Sequence, residues 1–291
     1  MPSRGRFPSS QYIHIGNWHG LIDCGEGTQI QLSNYRIRRN KISHIFISHL
    51  HGDHVFGLPG LLGSYNHFNR IKPLTIYGPP GLNKLINTII DVSGAHYSYT
   101  LNIVELEWTV PGTFSINDNL KIQYFPLKHR VPTIGYRFDL NEDKINIIKE
   151  SLNDLNLSIQ EIRMIKKGKD VILNDGKLLK WDSVARRSKV RKSYAYCSDT
   201  IYDEDIISFI EHVDYLYHET TYLDGMESEA SYRKHSTLGQ AIKITQLAKA
   251  KNLITGHYSS RYKNLDDFIK VSESNEKLSL IIGREGMRIN L

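Results

Sequence analysis

Cysteine is almost absent: the 291 residues hold two, Cys24 and Cys197, and neither belongs to a CxxC pair. So sparse a set excludes a disulfide framework and predicts two reduced, buried thiols in a cytosolic protein. No apolar run is long enough to span a bilayer. The opening stretch, Met1 to Ser10, is polar and carries Arg4 and Arg6; it lacks the apolar core of a signal peptide. Together these absences predict a cytoplasmic protein with no membrane partner. Internal repeats and low-complexity tracts are missing too, which sets aside solenoid architectures.

What is present is the composition of an ordinary globular protein, 40% hydrophobic and 23% charged. The length allows one large domain or two small ones, and either can bury a good core. Lys and Arg total 37 against 31 Asp and Glu, a formal charge of +6. That is a weak vote for an acidic partner such as nucleic acid.

Short β-like runs alternate with helical patterns. Tyr12 to Ile15 and Leu21 to Cys24 read as strands around a Gly16-Asn17 turn. Further strand-like runs are Ile42 to Ser48, Leu74 to Tyr77, Lys121 to Phe125, Thr133 to Phe138, Ser193 to Cys197, Val213 to Tyr217 and Leu253 to Thr255. Helical spacing covers Leu82 to Val92, Ile201 to Glu211 and Leu238 to Ala250. Strands cluster first and βα alternation follows, as in a layered α/β protein. From about Asn141 to Lys192 the chain turns polar and rich in Lys, Asp and Asn, with a short helix predicted over Leu157 to Ile165 and a hairpin turn at Asn174-Asp175-Gly176. This stretch reads as an excursion from the core, either a solvated insertion or an arm that grips nucleic acid.

The chemistry concentrates in Ser48-His49-Leu50-His51-Gly52-Asp53-His54, where a β-like run ends. Imidazole and carboxylate in this density suit borderline divalent metals, and a strand end gives them a rigid base. With 13 histidines in the chain, chance would produce HxHxDH on the order of once in a thousand such sequences. One short loop cannot close two metal sites. His129, Asp199 and His257 each follow another β-like run and share the same pattern, a metal-ligand residue at a strand end. The remaining histidines, His14, His19, His44, His67, His96 and His212, read as surface or core residues. His218 beside Glu219 is placed to steer a ligand. Asp23 and Gly25 read as structural.

His49-Leu50-His51-Gly52-Asp53-His54 resembles the signature of the metallo-β-lactamase superfamily. The words around it resemble ribonuclease Z of the short form: Val55-Phe56-Gly57-Leu58-Pro59-Gly60-Leu61-Leu62-Gly63-Ser64, Tyr77-Gly78-Pro79-Pro80-Gly81, His218-Glu219-Thr220-Thr221, Lys234-His235-Ser236-Thr237 and Gly256-His257-Tyr258-Ser259-Ser260-Arg261-Tyr262. The match runs over most of the chain in the correct order. It implies an α/β four-layer αββα sandwich, one domain over 1–291, with about 141–192 as a basic inserted arm and tRNA-binding exosite. It implies two Zn2+ per chain, one on His49, His51 and His129, the other on Asp53, His54 and His257, with Asp199 bridging. Asp53 would act as general base, and His235, paired with Glu219, would assist the leaving oxygen. The implied substrate is precursor tRNA cut 3′ of the discriminator nucleotide, and the implied assembly is a homodimer.

Three departures accompany the match. Pro2-Ser3-Arg4-Gly5-Arg6-Phe7 resembles the family's basic loop, and the strand that precedes that loop in the family has no counterpart before it. The family's Gly-Pro signature is absent between Asn141 and Trp181. Ile282-Gly283-Arg284-Glu285-Gly286 stands where the family has Ala-x-Asp-Phe. Two other readings compete: a phosphodiesterase or arylsulfatase of the same fold acting on small substrates, and a shortened RNA-binding form with little activity. The wording of Gly57 to Ser64 and the basic arm favour tRNA, and an intact ligand set favours catalysis.

Overall fold

Two residues, Gly16 and Asn17, are all that separate the first two strands in the computed structural model, which describes residues 5–152, 155, 157–275 and 278–290. Strand β1 (Gln11–Ile15) pairs antiparallel with β2 (Trp18–Ile22), with Ile15 opposite Trp18. So tight a turn leaves no loop, and β2 therefore begins three residues before the predicted Leu21. It stops at Ile22, because Asp23 takes a φ of 56° and leaves the sheet. The chain continues through α1 (Thr28–Asn34), β3 (His44–Phe46), α2 (Gly52–Val55), α3 (Leu58–His67), β4 (Leu74–Gly78), α4 (Leu82–Ser93) and β5 (Leu101–Glu105). These strands form one sheet in the order β1-β2-β3-β4-β5, parallel from β2 onward. Helix α4 runs between two left-handed glycines, Gly81 and Gly94, where a residue without Cβ carries no strain.

The rest of the chain forms β6 (Gly112–Asn117), β7 (Leu120–Leu127), β8 (Thr133–Ile147), α5 (Ile159–Ile165), β9 (Val171–Ile172), β10 (Leu178–Leu179), α6 (Trp181–Val184) and β11 (Ala185–Cys197). Then come α7 (Ile207–Ile210), β12 (Tyr215–Glu219), α8 (Glu227–Arg233), α9 (Leu238–Leu247), β13 (Asn252–Gly256), α10 (Asp266–Ser274) and β14 (Ser279–Ile282). The second sheet has the order β14-β13-β12-β11-β8-β7-β6 and is parallel from β11 to β14.

The chain divides into two compact units, Met1–Phe114 with Ile122–Phe138 and Ser193–Leu291, and Ser115–Lys121 with Asp139–Lys192. In the first unit the sheets meet face to face through aromatic rings. Phe46 of β3 lies 5.2 Å from Phe138 and 5.5 Å from Tyr136, both edge-on, and Tyr136 donates its hydroxyl hydrogen to the Ile47 carbonyl at 2.8 Å. The outer face of the first sheet packs Ile45, Ile47, Leu74 and Ile76 against Leu61, Tyr65 and Ile86 of its helices. That of the second packs Ala195, Leu216 and Leu253 against Ile210, Ala241 and Ile244. This is the expected αββα layering. Both cysteines are buried and unpaired, and burial pushes the Cys24 thiol up to about 12.

The second unit has a core of its own: Ile165, Val171, Val184 and Ala185, with Ile145, Ile147 and Trp181 packed against them. Ser158 caps α5, its hydroxyl accepting the Glu161 amide at 3.2 Å while its own amide donates to the Glu161 carboxylate at 2.6 Å. Strands β9 and β10 form the hairpin predicted around Asn174-Asp175-Gly176. Positions 153, 154 and 156 of the expected arm, and Pro2, Ser3 and Arg4, lie outside the described residues. Among the described residues no helix is long and apolar enough to cross a membrane. The helix expected over Ile201 to Glu211 shrinks to a 3₁₀ turn and the four residues of α7, because Asp203 caps the chain late, its side chain accepting the Asp205 amide.

His44 sits between the rings of Trp18 and Tyr77, and its Nδ1 accepts the Trp18 indole N–H at 2.9 Å. Accepting that bond requires the neutral ring, and burial pushes the pKa down to about 4. An unfolded histidine titrates near 6.5. The stabilisation is therefore complete above about pH 6.5 and lost as pH falls toward 4, because there the unfolded chain binds the proton and the folded chain does not. We expect His44→Gln, measured by chemical denaturation, to flatten the fall in stability across that window by about 1–2 kcal/mol, a figure discounted for the ring's partial exposure. Parallel curves for the two proteins would refute this account.

Candidate metal centre

The site is assembled at strand ends of the first unit. After β3 the chain runs through Ile47 and Ser48 into His49, His51 starts the turn into α2, and Asp53 and His54 lie on α2. His129 follows β7 by two residues, Asp199 follows β11 by two, and His257 follows β13 directly. A Cβ at Gly52 would lie 2.4 Å from the exposed Phe56 ring, which would have to turn aside.

These seven side chains converge in two sets. In the first, His51 Nδ1 lies 3.0 Å from His49 Nε2 and 3.3 Å from His129 Nε2. Asp199 Oδ2 is 3.7 Å from each of those Nε2 atoms. In the second, His54 Nε2 and His257 Nε2 are 3.4 Å apart, and Asp53 Oδ2 is 3.6 Å from His257 Nε2. Asp199 Oδ1 reaches this set too, at 3.5 Å from His54 and 3.3 Å from His257. Each set offers ligand atoms within 4.8 Å of one another.

The outward ring nitrogens determine what the inward ones present. His54 Nδ1 donates to Asp23 Oδ2 at 2.7 Å, His129 Nδ1 to the Lys234 carbonyl at 2.8 Å, and His257 Nδ1 to Thr221 Oγ1 at 2.9 Å. With the proton fixed on Nδ1, each Nε2 directs a lone pair inward. That lone pair is available to a metal; a ring that carries a second proton instead presents a positive charge to the Asp199 carboxylate. Asp199 Oδ1 is buried without a hydrogen-bond partner. An oxygen in that position needs a cation, and nitrogen with oxygen donors at this spacing suit a divalent metal. Burial disfavours the Asp199 carboxylate, but His257, His54 and His49 outweigh it and hold the group well below the usual carboxylate range.

Beside the two sets, His235 Nδ1 donates to Glu219 Oε1 at 2.9 Å. Glu219 is fully buried and also accepts the amides of Thr200, Thr221 and Ser236 and the hydroxyl of Thr221. Burial alone would lower the His235 pKa, but Glu219 outweighs it and raises it.

His218 does not steer a ligand. Side chains alternate across a strand, and in the parallel pairing His218 lies opposite Cys197, on the helix-facing side with Leu216. Its Nδ1 bonds the Glu219 carbonyl at 2.7 Å. Asp23 has more than the structural role expected of it. It accepts the Ser48 amide, the Ser48 and Tyr196 hydroxyls and His54 Nδ1, all at 2.7–2.9 Å. A carboxylate at the end of the apolar run Leu21-Ile22 signals a buried acid that must find donors. The sequence reading also passed over Thr221, Arg130 and Arg233; the two arginines line the cleft above the metal-ligand sets.

The chain is 35% identical over 298 residues to the ribonuclease Z of Parabacteroides distasonis, covering 100% of this chain and 95% of that one. It is 38% identical over 288 residues to the ribonuclease Z of Cytophaga hutchinsonii, covering 98% and 91%. The chain belongs to the ribonuclease Z family. Residues 3–186, more than half of the chain, also match and so place it in the family described as Anti-Pycsar protein Apyc1. That span holds His49 to His54 and His129 and ends before Asp199, Glu219, His235 and His257, which the full-length relatives cover. The short form of human tRNase Z has the same fold, with a TM-score of 0.72 at 23% identity over 99% of this chain and 94% of that one. So does YhfI of Bacillus subtilis, a metallo-β-lactamase fold protein, at 0.66 and 17% over 99% and 93%. The family and the fold expected from the sequence are both borne out. As a ribonuclease Z the chain is a metal-dependent endoribonuclease, a hydrolase.

Asp23→Asn keeps the shape at the base of His54 but removes the charge and turns one acceptor into a donor. Competition against a chelator should show divalent-metal affinity lowered about 10–100-fold. Wild-type affinity in the variant would mean that Asp23 does not set the orientation of His54.

Proposed function

We propose that this protein removes the 3′ trailer of precursor tRNA, hydrolysing the phosphodiester bond 3′ of the discriminator nucleotide. The observation that supports it most is Asp199 facing two imidazole sets beside the His235–Glu219 pair, in a member of the ribonuclease Z family. On this reading His49, His51 and His129 would hold one Zn2+ and Asp53, His54 and His257 the other, with Asp199 facing both sets. Such a pair of ions would supply a water of lowered pKa and charge to neutralise the phosphate oxygens.

The chain's own residues do the rest. Asp53, with 28% of its side chain exposed, faces the cleft and takes the proton of the attacking water. The water oxygen bonds to phosphorus, and the bond from phosphorus to the 3′ oxygen of the discriminator nucleotide breaks. His235, held through Nδ1 by Glu219, delivers the proton from Nε2 to that leaving oxygen. The tRNA keeps a 3′ hydroxyl and the trailer a 5′ phosphate. Glu219, saturated with donors, stays ionised and supports the positive imidazolium. The second unit serves as the tRNA exosite: Lys166, Lys167, Lys169, Arg186, Arg187, Lys189, Arg191 and Lys192 offer phosphate contacts. The working form is a cytoplasmic homodimer.

One precursor tRNA with a 3′ trailer, incubated with and without chelator, tests the reading. We expect one cut, directly 3′ of the discriminator, lost on chelation and in Asp53→Ala or His54→Ala. His235→Ala should lower kcat by about 10²–10⁴. Metal analysis should return about two zinc ions per chain. Intact precursor after incubation with zinc-replete wild type would sink the proposal.

A further inference from the structure

The cleft over His51, Asp53, Asp199 and His257 has two cationic walls that the chemistry above does not use, Arg130 and Arg233. Next to Arg233 on α8, at the edge of this cleft, stands Tyr232, 75% exposed to solvent. A tyrosine that exposed gains little from packing, yet it is tied to its neighbours. Arg130 Nη2 donates to the Tyr232 carbonyl at 3.1 Å, and its guanidinium lies 5.8 Å from the centre of the Tyr232 ring. Arg233 is held by Nε alone, which donates to Glu229 Oε1 at 2.5 Å, and its side chain is 53% exposed. Glu229 also lies 3.7 Å from Arg261. One carboxylate therefore serves two guanidiniums, Arg130 adds a third, and the rim keeps a net positive charge. Each arginine retains further N–H donors in the planar fork that matches a phosphate.

We infer that Arg130, Tyr232 and Arg233 form the subsite for the nucleotide on the 5′ side of the scissile phosphate, the arginines holding its 5′ phosphate and the tyrosine stacking on its base. The inference rests on the proposed function, which assigns His235 to the leaving 3′ oxygen. His235 follows Arg233 by two residues, and its ring lies 5.1 Å from that of His129, the residue before Arg130. The rim therefore flanks the leaving-group end of the site, and the leaving oxygen belongs to the nucleotide 5′ of the cut. Phosphate recognised by two positioned forks and a base stacked on an aromatic face fit the chemistry of a single-stranded nucleotide. Arg130 and Arg233 are already anchored, so less side-chain freedom is lost on binding.

The test is equilibrium binding of holoenzyme to a trailer-free tRNA that ends in a 3′ hydroxyl at its discriminator, beside the same tRNA shortened by that one nucleotide. For the full-length tRNA we expect Arg130→Gln/Arg233→Gln to raise Kd about tenfold or more and to reduce the slope of log affinity against log salt by about 1. Tyr232→Ala should raise Kd about tenfold without changing that slope. For the shortened tRNA, wild type and variants should bind alike. Variants that weaken both RNAs equally, or neither, would overturn the inference while leaving the cleavage reading intact. A wild type that binds neither RNA would bring down both. All three side chains are exposed, and a wild-type Tm in each variant confirms folding.

Discussion

Ring nitrogens held facing one another around a buried carboxylate are the constraint on which this structure turns. Two imidazole nitrogens 3.4 Å apart and a buried aspartate oxygen with no hydrogen-bond partner are unfavourable unless positive charge, a metal ion or ring protons, sits among them. The fold maintains this arrangement from outside. Each ring is fixed by a bond on its far side: His54 to Asp23, His129 to the Lys234 carbonyl, His257 to Thr221. None of these three partners lies in the HxHxDH loop. The metal-binding geometry is therefore a property of the whole first unit, and the short motif alone does not produce it.

Asp23 shows how the two sheets are locked to the site. It leaves β2 of the first sheet, accepts Tyr196 from β11 of the second, and takes Ser48 and His54 from the motif loop. A buried carboxylate with four donors is stable where an unpaired one would not be. Glu219 repeats the device on the other side, collecting His235, Thr221 and the amides of Thr200 and Ser236. Its bond to Thr221 Oγ1 continues to His257 Nδ1, so the histidine assigned to proton delivery and one metal-ligand histidine share a single buried anion. A change at Glu219 would reach both.

Much of this was legible in the sequence because local patterns carry it. Strand ends bearing His, Asp and His are visible without coordinates, and the HxHxDH spacing is too improbable to be incidental. What stayed hidden depends on tertiary context. The Gly16-Asn17 turn is legible, but the start of β2 at Trp18 is not, because His19 and Gly20 interrupt the apolar pattern of a strand. The direction of His218 followed from its register with Cys197. In the sequence Asp23 reads only as structural, because its donors lie 25, 31 and 173 residues away. The core of the second unit draws on aliphatics scattered among lysines, Ile145, Ile165, Val171 and Val184, so average polarity concealed it.

Three of the seven non-glycine residues with positive φ among the described residues lie at these places. Asp23, Lys234 and His257 adopt φ values of 56°, 62° and 61°, a region that costs an ordinary residue about 1–3 kcal/mol and favours glycine. Glycine would remove that cost at each position. At Asp23 and His257 it would also remove the carboxylate and the imidazole that the site uses. At Lys234 the left-handed turn ends α8, directs its carbonyl to His129 and sets His235 on the next residue. One kink thus orients the His129 and His235 imidazoles together. The hydrogen bonds that converge on these three residues hold the conformation in place, and at Asp23 they come from both sheets.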